Sequence, residues 1–152
     1  MDMVRLGLIV FGTASGNILA EDLIPVIEWS SQVSQIKEVE KGESVGYGRS
    51  FIADKRMKIA IVPVGYADGF NRSLSNGKGC VFIDGKRCPT VGKVCMDMVM
   101  IDVSDLNVKV GEPVEIIGEH QSLIDLASLL GTIPYEILTG LSSRVHRNYV
   151  VH

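Results

Sequence analysis

This chain has few groups that could hold a metal. Its three cysteines, Cys80, Cys88 and Cys95, and its three histidines, His120, His146 and His152, share no metal-ligand spacing. No Cys-x-x-Cys pair is present, so no structural zinc site is expected. The odd cysteine count argues for free thiols in a reducing cytosol rather than a disulfide framework. Aromatic residues make up only 6% of the chain, with a single tryptophan, which gives a carbohydrate-binding face little to use. Lysines and arginines are scattered, with few aromatics among them, so no nucleic-acid stripe is read. No apolar run reaches the roughly 18–20 residues of a membrane helix. The apolar start, Met1 to Gly12, lacks a clustered basic region and a small-residue cleavage site, and is not read as a signal peptide.

What remains is an ordinary globular composition: 152 residues, 46% hydrophobic, 22% charged, net charge −3. One domain with a real core is the expectation. Residues 1–12 read as one buried strand ended by Gly12, and Thr13 to Asn17 as a turn or loop. From Ile24 to Glu40 the spacing of Val26, Trp29, Val33, Ile36 and Val39 fits helix or strand. Pro25 and the β-branched content favour strand. Met57 to Val64 reads as a strong strand, and Asn71 to Lys78 as a polar loop. Gly79 to Ile83 and Lys86 to Val91 flank Asp84-Gly85, a two-residue hairpin signal. Met98 to Val103 is β-rich though it alternates poorly, and Val114 to Gly118 is another strand. The tail changes period. Ser122 and Asp125 form a capping-box-like start to a helix ended by Gly131. Pro134 sits early in a second short helix, and Ser143 to Val151 is a final strand or an extended tail. The fold class expected is mainly β: a small barrel-like domain of short strands with one or two short helices near the C-terminus.

Three segments carry the chemical interest. Two place a tyrosine between glycines or small residues: Val45-Gly46-Tyr47-Gly48-Arg49-Ser50-Phe51 and Pro63-Val64-Gly65-Tyr66-Ala67-Asp68-Gly69-Phe70. The third is Val91-Gly92-Lys93-Val94-Cys95-Met96-Asp97. Flanking glycine lets the backbone take positive φ and lets another chain or ligand approach. The phenol is then presented on a loop. It can act as a general acid or base where its pKa is pulled down from about 10. Taken singly, either tyrosine reads as a turn aromatic covering a sheet edge. Asp68 reads as a cap of its own turn.

Together, in this order and at this spacing, the three segments resemble the C-terminal domain of alanine racemases. These are pyridoxal-phosphate enzymes that interconvert the alanine enantiomers, supplying D-alanine for cell-wall peptidoglycan. The likeness covers nearly the whole chain and is most specific in those segments. It implies that Tyr47 is the catalytic acid/base acting on one face of the substrate Cα. Tyr66 would narrow the substrate entrance, and the backbone N–H of Met96 would meet the substrate carboxylate. Asp97 would orient neighbouring groups or satisfy backbone donors. Tyr135, in Ile133-Pro134-Tyr135-Glu136, would reach the cofactor phosphate as a hydrogen-bond donor. Arg144 and Arg147 resemble the family's basic ending and are expected in solvated or salt-bridged surface roles.

Two small departures stand out: Leu6 where the family usually shows proline, and Gly46 where many members carry serine. The larger one is the absence of the N-terminal (β/α)8 barrel that carries the cofactor lysine. Lys41 sits in a turn and does not replace it. The reading therefore takes 1–12 as a remnant of that barrel's last strand and 13–152 as the C-terminal β-domain, a piece of a longer protein that is inactive alone. The cofactor, pyridoxal 5'-phosphate, would be bound by the full-length dimer and not by this piece. The partners implied are the chain's own barrel domain, a second subunit and alanine, in the cytoplasm, with no nucleic acid or membrane. A serine or broad-specificity racemase and a non-catalytic dimerisation module are the alternatives.

Overall fold

The computed structural model describes Met3 and residues 5–13 and 23–150. Seven strands form one antiparallel sheet: β1 Trp29–Gln32, β2 Gln35–Val39, β5 Met57–Val62, β6 Cys80–Ile83, β7 Lys86–Val91, β8 Val99–Asp102 and β9 Pro113–Ile117. Their spatial order is β1-β9-β6-β7-β8-β5-β2. A two-stranded hairpin, β3 Ser44–Val45 with β4 Phe51–Ile52, stands apart from it. Two short helices follow, α1 Leu123–Leu130 and α2 Pro134–Gly140.

The sheet must curl. Strands β1 and β2 are its opposite edges, yet only Val33 and Ser34 separate them in sequence. Laid flat, six gaps of about 4.8 Å would hold those edges roughly 29 Å apart. Three Cα–Cα steps of about 3.8 Å cannot cross that distance. The corner residues join the two sides. Val33 N–H donates to the Glu112 carbonyl and Ser34 N–H to the Ile61 carbonyl, each at 2.9 Å. The sheet is thus drawn into a barrel-like shape, and the expectation of a mainly β, barrel-like domain with one or two short helices holds, with two present.

Both faces of the middle strands are covered. On β5, Ala60 and Val62 enter the main core, while Met57 and Ile59 face a second cluster with Val39, Val45, Ala53, Val91 and Met100. On β8, Val99 and Ile101 go to the first side and Met100 to the second. Adjacent strand residues point to opposite faces, so a strand buried on both sides shows little alternation. This explains the poorly alternating pattern of residues 98–103. The main core also takes Leu123, Leu126 and Ala127 from α1 and Ile137 from α2.

Local signals place the connections. Asp84 and Gly85 take φ of 49° and 69°, which closes the β6–β7 hairpin in two residues. The Ser122 hydroxyl and the Asp125 carboxylate cap each other's backbone N–H at 3.1 Å, and Gly131 ends α1 in the left-handed conformation. Pro134 opens α2.

The first segment departs from expectation. Within residues 1–12, read as one buried strand, Leu8–Phe11 forms a 3-10 turn with only Leu8 buried. Gly12, at φ 67°, closes it by donating to Ile9 at 3.1 Å. The Leu8 N–H, which a strand would give to a neighbouring strand, goes to a side chain. Met1, Asp2, Val4 and residues 14–17 of the expected Thr13–Asn17 loop lie outside the described residues. At the other end, residues 143–150 make a turn and an irregular tail and no strand. Arg147 folds back there, donating to the carbonyls of Leu141, Ser142 and Val145. Val151 lies outside the described residues. No helix among the described residues is long and apolar enough to cross a membrane.

Candidate active-site face

Tyr47 stands at the tip of the β3–β4 hairpin, on a 3-10 turn spanning Tyr47–Arg49. The turn needs its glycines. Gly46 and Gly48 take φ of 78° and 69°, where a Cβ is strained. The result is a phenol 73% exposed, presented outward and not folded onto the sheet. Beside it lies an open groove of about 780 Å³. Val45, Gly46, Ile59, Cys95, Met98 and Met100 contribute to its walls.

The other two segments come to this side through backbone contacts that only glycine permits. A Cβ on Gly92 would stand 2.7 Å from the Val45 carbonyl oxygen. The segment leading to Met96 is thereby pressed against the root of the Tyr47 hairpin. A Cβ on Gly65 would lie 2.3 Å from the Met96 carbonyl oxygen and 2.4 Å from that of Cys95. Those same carbonyls accept the N–H groups of Ala67 and Tyr66, each at 3.0 Å. Tyr66 and Met96 are consequently neighbours by backbone, and both side chains are open to solvent at 43% and 53%.

Asp68 does what its spacing suggests. Its side chain is buried and accepts the Gly65 N–H at 2.8 Å, which closes the Tyr66 turn. Sequence alone gave no partner to Asp68 or Asp97. Both pair with Arg144, at 2.6 Å and 2.5 Å. The three residues lie 76 and 47 positions apart, and no local pattern links them.

Tyr135 joins a different segment. It rises from the first turn of α2, and its phenol oxygen accepts the Leu8 N–H at 2.8 Å. Among the described residues its own O–H has no acceptor, so the group can still donate to an anionic oxygen. The approach to the first segment is close enough that a Cβ on Gly7 would sit 2.1 Å from the phenol oxygen.

The thiol on this face, Cys95, is not a nucleophile in waiting. Burial pushes Cys95 up, against a weaker opposing pull from Arg72. In the main core, away from this face, burial also lifts Cys88 to about 11. Both stay protonated near neutral pH. The Tyr47 phenol, by contrast, stands exposed on this side.

The chain also matches known proteins over most of its length. The family model described as "Alanine racemase, C-terminal domain" matches residues 26–149. The alanine racemase of Halothermothrix orenii is 42% identical over 98% of this chain and 41% of its own length. That of Cutibacterium acnes is 47% identical over 97% of this chain and 41% of its own. Among solved structures, alanine racemase of Clostridium difficile in complex with cycloserine superposes with a TM-score of 0.87 at 37% identity. It is matched over 95% of this chain and 40% of its own. Bartonella henselae alanine racemase with covalently bound pyridoxal phosphate gives a TM-score of 0.86 at 36% identity, over 95% and 40%. The chain spans about two fifths of the length of the relatives it matches.

Proposed function

The chain belongs to the alanine racemase C-terminal domain family, and on that premise we propose that it supplies the tyrosine acid/base of an amino-acid racemase acting on alanine. The observation that carries this reading is the presentation of Tyr47. Three positive-φ residues, Gly46, Gly48 and Arg49, hold its ring outward at a hairpin tip beside an open groove. Such backbone has no evident use in a ring that merely covers a sheet edge.

Racemisation removes a proton from one face of Cα and returns one to the other. Two opposed groups do this more readily than one group that must swing across. Tyr47 would be one of the pair, and a group on another domain the other. Tyr66 and Met96 would border the substrate, with the Met96 N–H donating to its carboxylate and Asp97 holding that turn in place. Pyridoxal phosphate, when bound, delocalises the negative charge left on Cα. Tyr135 fits it: a half-exposed phenol fixed by the Leu8 N–H, whose O–H has no acceptor among the described residues, is suited to donate to a phosphate oxygen. A tyrosine base needs a cationic or hydrogen-bond-donating neighbour. In this reading a barrel domain of the longer protein provides one. Residues 1–12 would be the end of that barrel. Tyr47, Tyr66 and Met96 would serve a second subunit docked on the open groove, while Tyr135 serves its own. The segment alone would not turn over alanine.

The test is Tyr47→Phe in the full-length protein loaded with cofactor. Racemisation should fall by about 10²–10⁴-fold, the range for losing a general acid or base. The subunit assembly state, read by light scattering, should not change. Undiminished turnover would rule out Tyr47 as the base and favour a docking module.

A further inference from the structure

Arg144 spans two loops from the far side of the chain. Its Nε donates to Asp68 Oδ1 at 2.6 Å, and its Nη2 donates to Asp97 Oδ1 at 2.5 Å. Each carboxylate belongs to a different turn. Asp68 closes the turn of Tyr66 through its second oxygen, which takes the Gly65 N–H. Asp97 directly follows Met96. The segment that carries Arg144 is itself anchored to the same place. The Ser142 N–H donates to the Asp68 carbonyl at 3.1 Å, and the Arg144 N–H to the Ser142 hydroxyl at 3.3 Å. Arg147 then gathers the carbonyls of Leu141, Ser142 and Val145, so the loop holding Arg144 has its own internal brace.

A guanidinium is planar and its donors are fixed in a fork. When two of those donors serve two separate carboxylates, the fork sets the angle between their turns as well as the distance. Lysine, a compact charge on a flexible stem, would attract the carboxylates without setting that angle. Half the Arg144 side chain is in solvent, and exposed ion pairs add little to global stability. The effect of this one should therefore appear in the local geometry of the two turns.

We propose that Arg144 is a positioning residue: by bridging Asp68 and Asp97 it fixes the Tyr66 ring and the Met96 backbone N–H relative to each other, and so shapes the opening that admits the amino acid. This rests on the racemase reading above, in which both turns face substrate. The two turns touch already through the N–H groups of Tyr66 and Ala67. Arg144 closes the same junction from its side-chain face, and with both closures the turns move as one piece.

The test uses the full-length protein loaded with pyridoxal phosphate, with Arg144→Met, Arg144→Lys and Arg144→Met combined with Asp97→Asn. Steady-state kinetics with alanine and amide hydrogen exchange are read side by side. In Arg144→Met, KM should rise about tenfold while kcat changes less than about threefold, the mark of lost binding geometry. Exchange at the Tyr66 and Ala67 amides should quicken about tenfold, a local opening, with β5 and β8 unaffected and the melting temperature held. Arg144→Lys should recover part of both effects. The added Asp97→Asn should cost nothing further, since the two groups act through one contact. Wild-type KM and wild-type protection in Arg144→Met would overturn the proposal. A uniform loss of kcat, protection and melting temperature would also overturn it, leaving a merely structural arginine. If the unsubstituted protein fails to racemise alanine, the racemase reading falls. Amide exchange then still decides whether Arg144 holds the turns.

Discussion

The phenol oxygen of Tyr135 accepts the backbone N–H of Leu8 at 2.8 Å and so ties together positions 127 residues apart. This one contact docks the first described segment onto α2. Tyr135→Phe keeps the ring and deletes the acceptor, leaving the Leu8 N–H without its partner. The expected loss is about 1 kcal/mol of stability, the usual net worth of such a bond. Urea unfolding with an unchanged slope should show it. A midpoint identical to wild type would mean that water replaces the phenol at no cost.

Gly65→Ala should be far more damaging than its size suggests. The new methyl would face the carbonyl oxygens of Met96 and Cys95 at 2.3 Å and 2.4 Å, and both are backbone atoms that cannot rotate away. Crowding of this kind costs about 1–3 kcal/mol. Gly140→Ala is the matched control, because its Cβ meets nothing within 4 Å and it lies within α2. It should be neutral or gain up to about 1 kcal/mol from the lost freedom of glycine. Thermal melts of the two variants should move in opposite directions or differ clearly in size.

The pair His120 and Glu115 makes stability depend on pH. The His120 ring stacks on Phe82 with centroids 5.6 Å apart, and its Nδ1 lies 2.9 Å from a Glu115 oxygen. Hydrogen bonding to Glu115 raises the histidine above its ordinary 6.5, partly offset by desolvation. Burial pushes Glu115 up, but its hydrogen bonds from His120 outweigh this and hold it below its ordinary 4.5. A raised histidine stabilises fully below 6.5 and loses that contribution as pH rises through its folded value. A lowered glutamate stabilises above 4.5 and loses it as pH falls through its folded value. The pair therefore contributes most between those two ordinary values. Melting temperature measured against pH should decline above 6.5 in the wild type and decline less in His120→Gln. Parallel curves would sink this assignment.

Ser122→Ala removes half of the capping box that starts α1. The Asp125 N–H loses its acceptor, and the Asp125 carboxylate loses the hydroxyl that holds it. The cost should be about 0.5–2 kcal/mol, checked by chemical denaturation. Ser122→Thr should restore most of it, because its hydroxyl can accept the same N–H and donate to the Asp125 carboxylate.

What could be read in the sequence was what the chain settles within a few residues. The Asp84-Gly85 hairpin, the Ser122 cap, the Gly131 stop and the closure of the Tyr66 turn by Asp68 each depend on neighbours three or four positions away. They appear where expected. The strand assigned to residues 1–12 failed for the opposite reason. A run of aliphatic residues says that a segment is apolar, but a strand also needs a partner for its N–H groups. Leu8 found Tyr135 instead. The meeting of Arg144 with Asp68 and Asp97 was equally illegible, because its geometry exists only after the barrel has formed. The positive-φ glycines around Tyr47 could be suspected from the Gly-Tyr-Gly pattern. How far out the ring would stand could not.

The seam that joins Trp29 to Ile117 has a consequence in time. During synthesis β1 emerges before its partner β9, which comes out more than 80 positions later. Closing so long a loop is entropically demanding, and such pairings form late. Until then β1 waits with bare amides, and the corner at Val33 and Ser34 has nothing to fasten on one side. A ribosome that stalls before residue 117 would release an open, sticky ribbon for chaperones to hold.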